Sequence, residues 1–149
     1  MAGDAASLQG SIATASGTQV AFNQTNPATG IFTGSISGAG AVALNGGTLT
    51  MTGPNSHTGG TTINAGTLIG NTTSLTGNIV DNGTLIFDQA TDGTFADAIS
   101  GTGSLIKRNA GDLRLTGNIN IGGTASIEQG GLVVDGVLTA SQIDVAQGA

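Results

Sequence analysis

The 149-residue chain has no cysteine, tryptophan or tyrosine, two prolines, one histidine, three basic residues and nine acidic ones. Each shortage excludes something. Without cysteine there are no disulfides, thiolate zinc sites or thiol nucleophiles. That suits export through an oxidising compartment without a staple. Charged residues are 8% of the chain, against about a quarter in an average domain, and the single Lys and single Glu exclude a helical bundle or coiled coil. Collagen is excluded because glycine does not recur at every third residue and proline is scarce. Lys107, Arg108 and Arg114 are the whole cationic supply, and the net charge is −6. Nucleic acid and anionic membrane are therefore excluded as partners. No apolar run is long enough to span a membrane as a helix, which needs about 18 residues or more, so no membrane insertion by this segment is expected. Residues 1–10 (MAGDAASLQG) have neither the basic start nor the apolar stretch of a signal peptide. The chain reads as an excised piece with an added start.

What is abundant is glycine and small polar residues. Gly (27), Thr (22), Ser (11) and Asn (11) fill close to half the sequence. The order is repetitive. Ser35-Ile36-Ser37-Gly38-Ala39-Gly40 returns as Ala98-Ile99-Ser100-Gly101-Thr102-Gly103, and Gly47-Thr48-Leu49-Thr50-Met51-Thr52-Gly53 as Gly111-Asp112-Leu113-Arg114-Leu115-Thr116-Gly117. Phe22-Asn23-Gln24 matches Phe87-Asp88-Gln89, and Ile63 to Leu68 matches Ile127 to Leu132. One unit of about 64 residues thus occurs twice, in copies near 17–69 and 82–133 of a single unit spanning 1–149. A shorter Gly-x-Leu period lies inside it, at Gly47, Gly66, Gly83, Gly103 and Gly111. It predicts about three turns of roughly 21 residues per unit.

Segments such as Thr48–Thr52, Asp112–Thr116 and Thr124–Glu128 alternate apolar and polar residues, the period of a half-buried strand. Asn45-Gly46, Asn82-Gly83, Asp92-Gly93 and Gly122-Gly123 supply corners. Short strands, glycine corners and a fixed repeat predict an all-β fold, a right-handed single-stranded parallel β-helix of 20–22 residues per turn. Its interior is a ladder of Leu, Ile, Val and Phe, and each coil buries the face of its neighbour. A Gly/Thr-rich sandwich or meander would use the same turns, but gives no reason for a 64-residue repeat.

The segment from Gly47 through Pro54-Asn55-Ser56-His57-Thr58-Gly59-Gly60-Thr61-Thr62-Ile63-Asn64-Ala65-Gly66-Thr67-Leu68 resembles the passenger-associated repeat of bacterial autotransporters. Ile99 to Lys107 followed by Gly111-Asp112-Leu113 resembles the preceding half of that repeat, and Ser74 to Phe87 the linking turn. The resemblance covers roughly residues 30–135. It departs at His57, where the family commonly has Tyr, and at Asn118-Ile119-Asn120-Ile121, which lacks that aromatic. It implies the surface-exposed or secreted passenger of a type V secretion system in a Gram-negative bacterium, whose parent carries a C-terminal outer-membrane β-barrel. It further implies a stalk, an adhesin or a virulence factor. The partners so implied are a host cell-surface or matrix component, or the same protein on another cell.

Chemistry is sparse. His57 has no carboxylate within twenty residues and reads as a loop residue, not as a catalytic or metal ligand. Asp81, Asp88, Asp92 and Asp97 fall within 17 residues. Carbohydrate-active β-helices need two or three converging acids, or acids that hold calcium. These four read first as a solvated face and turn residues, with a polysaccharide hydrolase or lyase as the alternative. The Gly-Gly-x-Gly-x-Asp calcium repeat is missing, as are a Gly-x-Ser-x-Gly elbow and a phosphate loop. Lys107-Arg108 reads as a wet corner. Phe22, Phe32, Phe87 and Phe95 read as an aromatic stack inside the coil. No catalytic, cofactor-binding or metal residue is assigned, no cofactor is expected, and the leading function is a non-enzymatic structural or adhesive segment that also aids passenger folding. Terminal strand edges make end-to-end association a hazard.

Overall fold

The computed structural model describes residues 1–25 and 28–149, and every strand pairing in it is parallel. Among the described residues, twenty-one short strands wind through three faces in a fixed order. The first face carries β1 (Ala2–Gly3), β3 (Gln19–Phe22), β6 (Ala41–Leu44), β9 (Thr61–Ile63), β11 (Ile79–Asp81), β14 (Ile99–Gly101), β17 (Ile119–Ile121) and β20 (Leu138–Thr139). The second carries β4 (Thr29–Phe32), β7 (Thr48–Met51), β10 (Thr67–Gly70), β12 (Thr84–Asp88), β15 (Ser104–Arg108), β18 (Thr124–Ile127) and β21 (Gln142–Val145). The third is split. Its lower half is β2 (Ile12–Thr14), β5 (Ile36–Gly38) and β8 (Ser56–His57); its upper half is β13 (Gly93–Phe95), β16 (Leu113–Leu115) and β19 (Leu132–Val134). Between the halves, the strand position is taken by a tight turn in which the Ser74 and Leu75 N–H groups donate to the Asn71 carbonyl. The expected parallel β-solenoid is the fold.

Like residues stack because the coils are in register. On the second face Leu49, Leu68, Leu85, Leu105 and Ala125 form one inward column. Phe32, Met51, Gly70, Phe87, Lys107 and Ile127 form the next. On the first face Val20, Val42, Thr61, Ile79, Ile99 and Ile119 make one column, and Phe22, Leu44, Ile63 and Asp81 run in the other. A buried branched side chain is worth about 1.5–3 kcal/mol over its exposed state, and no single coil encloses these columns. Stability is therefore shared between neighbours. The four phenylalanines lie inside as expected: Phe22–Phe32 and Phe87–Phe95 are edge-to-face pairs with centroids 5.3 Å apart.

Successive partners in the columns are separated by 17 to 24 residues, mostly by 19 or 20: Thr48 pairs Thr67, Ile79 pairs Ile99, Thr67 pairs Thr84 and Ile12 pairs Ile36. The 64-residue unit is thus longer than three coils. Its strands recur nine strands later, with one strand position occupied by the tight turn. β7 on the second face corresponds to β16 on the third, and β9 on the first to β18 on the second. Ten positions on a three-faced coil make three and a third turns, so the second copy stands one face further round.

The correspondence also runs further upstream than Ser16. Gly3-Asp4-Ala5-Ala6-Ser7-Leu8 forms the same turn as Gly70-Asn71-Thr72-Thr73-Ser74-Leu75, with Ser7 and Leu8 N–H donating to the Asp4 carbonyl. A Cβ on Gly3 or on Gly70 would press on the Leu8 or Leu75 side chain of its turn. Gln24 and Gln89 then hold the two turns, accepting from Ala5 N–H at 3.4 Å and from Thr72 N–H at 3.1 Å.

Val137, Ile143 and Val145 are exposed, and a cleft of about 430 Å³ opens onto Leu132, Val134 and Leu138.

Candidate functional site

The four carboxylates were the one sequence feature that could have formed an enzymatic centre. The structure sets them at successive positions around one coil. Asp81 ends β11, Asp88 ends β12, Asp92 lies in the corner before β13, and Asp97 in the corner before β14. Each is engaged with backbone or side chain nearby. Asp92 Oδ1 accepts from Asp112 N–H at 2.9 Å, one coil on, and Asp112 Oδ1 accepts from Gly131 N–H at 2.8 Å, one further. Asp97 Oδ2 accepts from Gly77 N–H at 2.9 Å on the preceding coil. Asp88 accepts from the Asn109 amide and faces Arg108 Nε at 3.9 Å. These three satisfy corner N–H groups or neighbouring side chains, the role that Asx residues take at turns.

Asp81 corrects the expectation of a solvated face. Its relative exposure is 0%, and it occupies an inward column directly above Ile63. The strand period explains this: Ile79 points inward, Val80 outward, and Asp81 inward again. Oδ1 accepts from Gly83 N–H at 2.9 Å, while Oδ2 has no partner. Burial pushes the carboxyl up to about 6, opposed only in part by the N–H groups of Gly83 and Leu85.

Lys107 corrects a second expectation. It is an inward residue of β15, between Phe87 and Ile127 in its column, and is 1% exposed. The aliphatic stem continues the apolar ladder. The ammonium reaches the corner and donates to the carbonyls of Arg108 (3.1 Å), Asn109 (2.6 Å) and Gln129 (2.9 Å). Desolvation lowers its pKa, opposed by the charges of Asp112 and Asp88. Asn109 has φ 67°, a left-handed conformation that turns its carbonyl toward the lysine corner. Arg108 alone is partly exposed.

His57 corrects the third. It is a buried residue of β8, not a loop residue. Nε2 lies 2.9 Å from Thr61 Oγ1, and Nδ1 has no partner. Burial lowers its pKa, so it is neutral at pH 7. Its counterpart in the second copy is Ile121, which fills the same inward position. Neighbouring Asn55 accepts from Ile36 N–H at 2.7 Å and donates to the Ser74 carbonyl at 2.6 Å. The sequence carried a signal for two of these corrections: Asp81 and Lys107 each stand two residues after an inward apolar residue of the same strand, Ile79 and Leu105, whereas His57 stands two after the buried polar Asn55 and had no such signal.

Among the described residues, no group of three or more His, Cys, Asp or Glu could hold a metal ion. A surface trough of about 630 Å³ lies at the corner between the first and second faces, floored by Gly46, Gly47, Gly66 and Gly83 and flanked by Asn45, Thr48, Thr67 and Thr84. Beside it runs an amide ladder, in which Asn45 Nδ2 donates to Asn23 Oδ1 at 2.6 Å and Asn64 Nδ2 to Asn45 Oδ1 at 2.7 Å. The ladder ties coil to coil.

Comparison with known proteins agrees with this geometry. Residues 42–69 and 105–134 match the family model described as passenger-associated-transport-repeat. The two matches start on β6 of the first face and β15 of the second, which is the one-face advance of the fold. The chain is also similar to the adhesin BmaC autotransporter of Brucella suis biovar 1 (strain 1330), at 43% identity, covering 54% of this chain and 3% of that protein. It therefore spans a small part of the length of the curated relative it matches. No solved structure matches.

Proposed function

We propose that this chain, an autotransporter passenger segment built from passenger-associated-transport repeats, is a non-catalytic structural stretch of a cell-surface or secreted adhesin of a Gram-negative bacterium. The observation that carries this reading is the use made of the polar groups. Asp88, Asp92, Asp97, Asp112, Asn55 and Lys107 are each engaged in holding one coil or corner to another. Few groups are left over for acid–base work. The one-face advance adds support, because equivalent side chains of the two copies point in different directions. That suits a spacer better than one continuous catalytic groove. The parent is expected to carry an outer-membrane β-barrel beyond this segment. Its partners are a host cell-surface or matrix component, or another copy of itself.

A polysaccharide-cleaving role gains no support from the placement of the acids. A screen against pectin, chitin and glucan is expected to show no turnover; turnover abolished by Asp88→Ala would overturn the non-catalytic reading. Beads coated with the folded chain are expected to attach to host cells or matrix more than beads coated with heat-unfolded chain. Equal attachment would remove the adhesive part.

A further inference from the structure

The two repeats meet at the tight turn 71–75 and β11, and the inward residue that ends this junction strand is Asp81 where its counterpart has Thr14. In the first copy the inward residue that ends β2 is Thr14. Its hydroxyl donates to the Ser37 carbonyl at 2.7 Å and accepts from Gly40 N–H at 3.0 Å, so the coil boundary is fully bonded. Gly38, in register with Thr14, has φ 95°, and a Cβ there would overlap the Thr14 carbonyl. In the second copy Asp81 stands for Thr14, Ser100 for Ser37, Gly101 for Gly38 and Gly103 for Gly40, but Gly103 N–H donates to the Asp81 main-chain carbonyl at 2.8 Å and the carboxylate accepts from Gly83 N–H instead. Gly101 has φ 128°, and a Cβ there would likewise overlap the Asp81 carbonyl; one on Gly103 would lie 2.5 Å from Asp81 Cγ. The space is thus closed around a short side chain, whose accepting half is met by Gly83 N–H and whose donating half, supplied by the Thr14 hydroxyl in the first copy, is missing. An ionised carboxylate only accepts, and one oxygen of Asp81 has no partner.

We propose that Asp81 is a proton-operated seam between the two repeats: protonated, it closes the coil boundary as Thr14 does, and ionised, it loosens it. A protonated carboxyl recovers the missing donor, and the carbonyl in the place of Ser37 is that of Ser100. No charge nearby stands in for the proton. From β9 and its corner, Thr61, Ile63 and Asn64 face β11; from β14 and its corner, Ile99, Ser100 and Thr102; from β12, Leu85. All are uncharged. The closest titratable side chain on the coil below, His57, is bonded to Thr61 at the opposite end of β9, and Lys107 on the coil above lies at the far end of β15. The same junction lacks a third-face strand, so a weakened boundary there has fewer ladder bonds to hold it.

The direction follows from the raised folded value of about 6 against an ordinary 3.8. The folded chain binds the proton more tightly than the unfolded chain. The contribution to stability is complete below the unfolded value and is lost as pH rises through 6.

The experiment is urea unfolding of the full chain and of Asp81→Thr and Asp81→Asn between pH 4 and pH 8. The variant comparison cancels the other carboxylates. The folding constant of the natural chain, divided by that of Asp81→Thr, is expected to fall about 50-fold from pH 4 to pH 8. A ratio constant to within about twofold overturns the proposal. A ¹³C carboxyl titration of the natural chain decides the matter without any variant folding: Asp81 titrating near the value of an exposed aspartate overturns it.

Discussion

The two repeats use the same strands in the same order on different faces, and several of the inward positions change character between them. Thr14, Asn55 and His57 of the first copy become Asp81, Ile119 and Ile121 of the second. Leu49 and Leu113, Phe22 and Phe87, and Gln24 and Gln89 keep their roles although the face has changed. An inward position of this solenoid is therefore defined by its place in the repeat and not by the face it falls on. The three faces are interchangeable hosts, because each presents the same thing to the interior: a short parallel strand with two inward side chains.

The strongest test of that equivalence is a matched pair of core truncations. Phe22→Ala and Phe87→Ala remove equivalent rings, each buried and each in an edge-to-face pair. Both are expected to cost about 3–5 kcal/mol in urea unfolding. Values differing by more than half would show that the faces are not equivalent. Next come the corner glycines. Gly38→Ala and Gly101→Ala force a Cβ into left-handed backbone and against a carbonyl, and thermal unfolding is expected to register about 1–3 kcal/mol for each.

A residue peculiar to the second copy gives a smaller, one-sided effect. Lys107→Met keeps the stem in the column and removes the donor to three carbonyls. A loss of about 2 kcal/mol is expected, with hydrogen exchange rising at the 108–111 and 129–131 corners and not at the Asn45 corner. The smallest effect is expected at the exposed ion pair. Arg114 meets Asp135 at 2.6 Å, with side-chain exposures of 56% and 40%, and Arg114→Ala should change stability by less than about 1 kcal/mol in chemical denaturation.

Much of this was legible in the sequence. Alternation in Thr48–Thr52 and Asp112–Thr116 marks strands, the glycine pairs mark corners, and the 63-to-64 offset separates a solenoid from low complexity. Phe22 and Phe87 announced themselves as core by recurring. The phase was harder. A 64-residue unit divides neatly into three coils of 21, and only the register pairs show coils mostly of 19 or 20 with a remainder of one face. The upstream start was hidden because Asp4-Ala5-Ala6-Ser7 and Asn71-Thr72-Thr73-Ser74 share only the serine, and because the first copy is two residues longer between its turn and β3. Asp81 and Lys107 looked like corner residues since each is followed within two residues by turn-forming chemistry, Asn82-Gly83 and Asn109. Burial of an unpaired carboxylate is costly, so residue type argued against an inward position that strand phase required.

The second copy stands one face on from the first, and the absence of cysteine makes this measurable by paired spin labels. Thr62, Val80, Ser100 and Asn120 follow one another in register up the first face, whereas Ser126, the repeat equivalent of Thr62, lies on the second face. Electron–electron distances should be measured in Thr62→Cys/Asn120→Cys and in Thr62→Cys/Ser126→Cys. The Thr62/Asn120 pair is predicted to give the shorter distance, near three strand spacings or about 14 Å between backbones. A shorter distance for Thr62/Ser126 would mean that the repeat closes on whole coils, and would contradict the one-face advance.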